Sequence, residues 1–156
     1  MASASLELAS IQHLDWYDGP VSGLVRDVST GKRLLAILLA FEPDRRQRVY
    51  ALIPLRPDLE SALGQLATEI ASDYKTPANA EEEWERLDST VSAAVKFATG
   101  TFYLIRCPAL EAGTVSQAVE LDLEPYRAHL SWTLDEESMT PTRIDFWHRA
   151  MRISVK

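Results

Sequence analysis

Three apolar runs separated by turn residues dominate the first third of the chain. Val21 to Val28 is followed by Ser29-Thr30-Gly31-Lys32, Leu34 to Phe41 by Pro43-Asp44-Arg45-Arg46-Gln47, and the third run is Arg48 to Leu55. Short runs of this kind, bounded by glycine, proline and small polar residues, read as strands joined by turns. Gly31 stands where a turn calls for a left-handed backbone. Leu34 to Phe41 lacks the alternation of a strand with one wet face, so it is expected to be central and covered on both faces. Pro54 suits an edge or a strand end. Asp18-Gly19-Pro20 marks the entry to the first run, because glycine tolerates positive φ and proline cannot donate to a ladder. The three runs predict an antiparallel meander. Leu6 to Leu14 fits a short strand or one helical turn, and is read as a strand leading into that meander.

The apolar period then changes. Leu59, Leu63, Leu66 and Ile70 recur at helical spacing after Arg56-Pro57-Asp58, where proline suits the first helical position and Asp58 and Glu60 suit the positive end of the dipole. Lys75-Thr76-Pro77-Ala78 breaks the pattern. Asn79 with Glu82 has the spacing of a capping box, and Trp84, Leu87, Val91, Ala94, Val95 and Ala98 form a second stripe, closed by Gly100. Thr101 to Cys107 reads as a buried strand stopped by Pro108. Thr114 to Leu123 alternates as a strand, although Thr114 and Gln117 also fit a capping box; strand is the reading adopted. Thr140-Pro141 opens a short terminal helix carrying Ile144, Trp147 and Met151, while Ile144-Asp145-Phe146-Trp147 also alternates.

Together these elements predict an α+β fold. It is an antiparallel sheet led by the three-stranded meander, with a helical hairpin of Pro57–Ser72 and Ala80–Ala98 packed on one face. The chain of 156 residues is expected to form one domain, long enough to bury a core.

A net charge of −7 weighs against sequence-independent nucleic-acid binding and favours a basic protein partner. The single cysteine excludes an internal disulfide and fits a reducing cytoplasm, and no signal segment opens the sequence. No cofactor motif, paired-cysteine site or phosphate loop is present, so neither cofactor nor metal is expected. A membrane-associated role is not expected either.

Few residues invite a chemical reading. Cys107 ends a strand beside a proline, and a thiol there could act as a nucleophile if His13, His129 or His148 approached it. A buried core thiol is the plainer use. Asp15 and Asp18 could share a proton or hold a metal, but further ligands are lacking, and a turn at Asp18 and a solvated Asp15 explain them. Arg45, Arg46 and Arg48, and Arg143, Arg149, Arg152 and Lys156, could meet phosphate, yet no stacking aromatic motif accompanies them. Glu81, Glu82, Glu83 and Glu85 crowd the start of the second helix more densely than its dipole requires. Glu81, Glu83 and Glu85 are therefore read as partner-facing. Trp16 and Trp147 are the candidate partner-binding aromatics if partly exposed, while core or core-rim placement is the plainer use of a tryptophan.

Trp16-Tyr17-Asp18-Gly19-Pro20, Ser22-Gly23-Leu24 and Arg48-Val49-Tyr50-Ala51-Leu52 resemble the opening of small uncharacterised bacterial proteins. The resemblance covers about the first third of the chain. It implies a bacterial-type soluble domain, with no activity and no site residue carried over. The expected function is a non-catalytic acidic protein-binding module of the adaptor, immunity or inhibitor kind. The alternative is a small enzyme with Cys107 as nucleophile and a histidine as base.

Overall fold

A computed structural model describes residues 3–16, 20–72, 80–130 and 140–152. Six antiparallel strands close into a barrel in sequence order: β1 (Ser3–Trp16), β2 (Pro20–Asp27), β3 (Arg33–Glu42), β4 (Gln47–Pro54), β5 (Thr101–Cys107) and β6 (Gly113–Asp122). Helices α1 (Pro57–Ser72) and α2 (Ala80–Phe97) interrupt the strands between β4 and β5. A 3-10 turn at Glu124–Tyr126 leads into α3 (Arg127–Leu130), and α4 (Pro141–Met151) follows.

The expected open sheet with a helical hairpin on one face is therefore corrected. The meander exists as β2, β3 and β4, but β1 pairs with β6 and closes the sheet on itself. Closure depends on a bend in β1. The strand pairs with β6 from Ser3↔Val119 to Leu8↔Gly113, and with β2 from Leu8↔Asp27 to Trp16↔Pro20. Between Ala9 and Gln12 the β1–β2 register slips, and Ser10 takes a φ of 53°. A bulge of this kind bends a strand sharply enough to turn a barrel corner. Gly23 sits at the same corner, where a Cβ would come within 2.8 Å of the Gln12 carbonyl oxygen. No larger residue fits there without moving β1.

Alternation along the strands divides the apolar residues into two clusters. Leu6, Leu8, Val25, Leu34, Ala36, Leu38, Tyr50, Leu52, Ile105 and Ala118 form one, with strand members from the whole circuit and no helical member. They are buried without helical cover, so they fill the lumen. Leu35, Ile37, Leu39, Val49, Ala51 and Ile53 alternate with them and pack outward against Leu63 and Leu66 of α1, Leu87 and Val95 of α2, and Trp147 and Met151 of α4. This explains the unbroken apolar run of β3, which is buried on both faces from Leu34 to Ala40. A slip between Leu38 and Ala40 inserts Leu39, so Leu39 and Ala40 both join the outer cluster.

Local chemistry fixes the connections. The Asp27 carboxylate accepts from the Ser29 amide (3.0 Å) and hydroxyl (2.8 Å), and Gly31 takes a φ of 72° in the same turn. Arg127 donates to the carbonyls of Val95, Lys96 and Ala98 at 2.7 to 2.8 Å, which satisfies the C-terminal end of α2. The Thr140 hydroxyl caps α4 by accepting from the Arg143 amide, with Pro141 in the first turn as its sequence anticipates. No described helix is long and apolar enough to cross a membrane.

Candidate functional site

Three places combine polar chemistry with defined geometry. The first is the groove between α1 and α2. The helices run antiparallel: Arg56 before α1 lies over the Phe97 ring at the end of α2 (4.8 Å), while Glu69 near the end of α1 pairs with Arg86 near the start of α2 (2.9 Å). A cleft of about 520 Å³ lies between them, with Ala62 and Leu66 on one wall and Glu82, Glu85, Ser89 and Thr90 on the other. Glu82 and Glu85 are exposed, and neither has an ion pair among the described residues. The Ser89 and Thr90 hydroxyls donate to the carbonyls of Glu85 (2.8 Å) and Arg86 (2.6 Å) on their own helix. The acidic start of α2 thus borders a concavity, which its sequence did not reveal.

The remaining proposed contact residues divide. Glu81 and Glu83 lie on α2, and Trp16 ends β1 opposite Pro20, but their side chains lie outside the described residues. The capping box from Asn79, the turn at Asp18 and the side chain of Trp84 lie outside them too. Trp147 is 0% exposed and packs among Tyr126, Phe146 and His129, which is core placement and removes it as a partner-facing aromatic. Its helix turns the large apolar residue to the barrel wall, as the spacing Ile144, Trp147, Met151 would direct.

The second place surrounds Cys107. The thiol packs against the lumen cluster, and across the ladder its residue faces Arg48, whose guanidinium stacks on the Phe41 ring at 4.7 Å. Burial, reinforced by the Glu111 carboxylate, pushes the thiol up to about 12 against the opposing pull of the Ala109 amide and Arg48. At neutral pH such a thiol is a poor nucleophile. Alkylation of the folded protein at neutral pH should run at least about tenfold slower than that of an unstructured cysteine peptide. Labelling as fast as the peptide would contradict a protonated, enclosed Cys107.

The third place was not anticipated. Glu42 at the end of β3 is 5% exposed. It accepts from Arg106 Nε (2.7 Å) and Nη2 (3.1 Å), and His148 Nε2 of α4 lies 3.1 Å from its Oε2. Arg106 Nη1 also reaches Gln117 Oε1 at 3.3 Å. Burial alone would raise the Glu42 carboxyl, but the hydrogen bonds and charges of Arg106 and His148 outweigh it and hold the group below the ordinary carboxylate range. The bidentate arginine fixes the carboxylate in its ionised form. The cluster joins β3, β5, β6 and α4 and works as a clasp for the terminal helix. It lies on the outward side of β5, while Cys107 packs on the lumen side, so His148 and the thiol occupy opposite faces. His129 stacks on Phe146 at 4.3 Å, and His13 pairs across the ladder with Gly23. Arg45 and Arg46 are exposed at the β3–β4 turn, whereas Arg48 and Arg143 are buried, which divides the sequence's basic groups.

Among the described residues, no group of histidine, cysteine and acidic side chains is arranged to hold a metal. Compared with known proteins, the chain matches no family model, no curated protein and no solved structure.

Proposed function

We propose that this protein is a non-catalytic protein-binding module that presents the acidic start of α2 to a basic partner. The observation that carries this reading is the position of Glu82 and Glu85: exposed, without an ion pair among the described residues, and on the border of the α1–α2 groove. Two features of the interior support it. The lumen is lined by buried apolar side chains from all six strands. The chemistry-bearing groups inside are quieted, Cys107 by burial and Glu42 by Arg106. The adaptor, immunity or inhibitor kinds of module all fit this surface, and a reducing cytoplasm fits the single free thiol.

Affinity capture from a lysate of the producing cells supplies the partner, and a charge series tests the reading. Replacing Glu81, Glu83 and Glu85 by glutamine should slow association by about three- to tenfold at low salt and flatten its salt dependence. Thermal stability should stay close to that of the parent, since the changes are confined to the acidic turn. An unchanged association rate across salt would reduce the acidic run to a solvated face.

A further inference from the structure

We propose that the α1–α2 groove docks one face of a basic amphipathic helix belonging to the partner, an inference that rests on the protein-binding reading above. Two antiparallel helices leave a straight furrow, and the side-chain ridges of a third helix fit such a furrow. The residues bordering it follow helical spacing: Ala62 and Leu66 on α1, Glu82 and Glu85 on α2. Leu66 is only 2% exposed and makes an apolar base, and Ala62 beside it is small enough for close approach.

The polar groups of the groove select the occupant further. The Ser89 and Thr90 hydroxyls already donate within α2, so an apolar ridge can cover them without leaving a donor unmet. Among the described residues, Arg86 is the one cation lining the groove, and it is paired with Glu69 across the two helices. That leaves Glu82 and Glu85 as the unpaired charges of its described lining. The complementary ligand has short apolar side chains on the docking face and lysine or arginine on the flank above α2. An acidic or purely polar segment would meet these carboxylates unfavourably.

The probe is a lactam-stapled synthetic helix of about 16 residues, with alanine and leucine on one face and lysine on the other, long enough to hold its helix once stapled. It is titrated into the isotope-labelled full chain and followed by amide chemical shifts. The control is a scrambled peptide of the same composition without an apolar face. Shifts should concentrate at Ala62, Leu66 and Ser89, and the scrambled peptide should bind at least about tenfold more weakly. The Glu82→Gln/Glu85→Gln double variant should weaken binding about three- to tenfold, as expected for two rim charges. Gln65→Trp places a bulky ring on an exposed groove position and should abolish binding while the melt is retained.

Equal binding of the scrambled peptide, unaltered binding by the folded Gln65→Trp variant, or no binding of the stapled helix would each overturn the proposal. The wider reading is judged apart from it. If Gln65→Trp retains the partner captured by the parent, the groove is not the docking site and the protein-binding reading stands. If the parent captures no protein, it is that reading which fails.

Discussion

Leu38→Asp is expected to abolish cooperative folding. Leu38 is 3% exposed and belongs to the lumen cluster, surrounded by the barrel's own walls. A carboxylate there would be cut off from water and would have no cation designed to meet it. Burying an unpaired charge costs several kcal/mol even after relaxation. A domain of this size has a net stability of about 5–15 kcal/mol, so this one change removes most or all of it. Leu38→Met keeps the volume and the apolar character and should cost less than about 1.5 kcal/mol. The pair is read by thermal and urea melts with a far-ultraviolet and a near-ultraviolet probe. A cooperative Leu38→Asp melt near that of the parent would mean that the lumen is wet, and the packed barrel would be wrong.

The second large effect comes from the clasp. Glu42→Ala leaves the Arg106 guanidinium and His148 facing each other in a site from which water is largely excluded. Breaking a buried pair by removing one partner costs about 3–5 kcal/mol, because the surviving charge stays behind. Urea unfolding should show that loss as a lower midpoint. A cost below about 1 kcal/mol would place the pair among ordinary surface bridges. The same group gives the protein an acid sensitivity. The folded carboxyl titrates below its unfolded value, so protonation favours the unfolded chain. Its stabilising contribution is complete above the unfolded glutamate pKa of about 4.3 and is lost as pH falls through the lower folded value. Glu42→Gln should therefore flatten the dependence of stability on pH in the acid range, while leaving a lower stability at neutral pH. An equally steep acid loss in that variant would assign the sensitivity to other carboxylates.

Local structure was legible because local signals were strong. The turn residues around Gly31, the proline opening α1 and the Thr140-Pro141 start of α4 each announced an element whose bounds the structure reproduces to within a residue or two. Closure was not legible, for two physical reasons. It joins the first strand to the last, a pairing that no local pattern records. Both strands also hide their phase. In β1 the slip at Ser10 moves the inward set Leu6 and Leu8 out of step with Leu14, which packs on the outer side. In β6 a slip between Val115 and Ala118 breaks the alternation, so that two lumen residues stand three apart. A strict period of two is what identifies a half-buried strand, and a bulge removes it.

The candidate site shows the same division. The density of glutamate at the start of α2 was visible, but the groove beside Glu82 and Glu85 depends on how α1 lies against α2. The clasp escaped notice because Glu42, Arg106 and His148 are far apart in sequence, and each looks like an ordinary surface residue. The one available signal was His148 on the same helical face as the apolar residues Ile144 and Met151. The placement of Trp147 was open for a related reason. A tryptophan amid Asp145, His148 and Arg149 reads as a surface anchor until the helix is docked.

Barrel closure lines the interior with apolar side chains and leaves the helices as the outer layer. The direct measurement is of the seam between β1 and β6 in solution, by cross-strand nuclear Overhauser contacts and amide exchange. Closure predicts contacts linking Leu6 with Val115 and Ala4 with Ala118, and amides across this seam that exchange as slowly as those paired between β3 and β4. Absent contacts, with the amides of both strands exchanging like those of free edges, would show an open sheet and contradict the account.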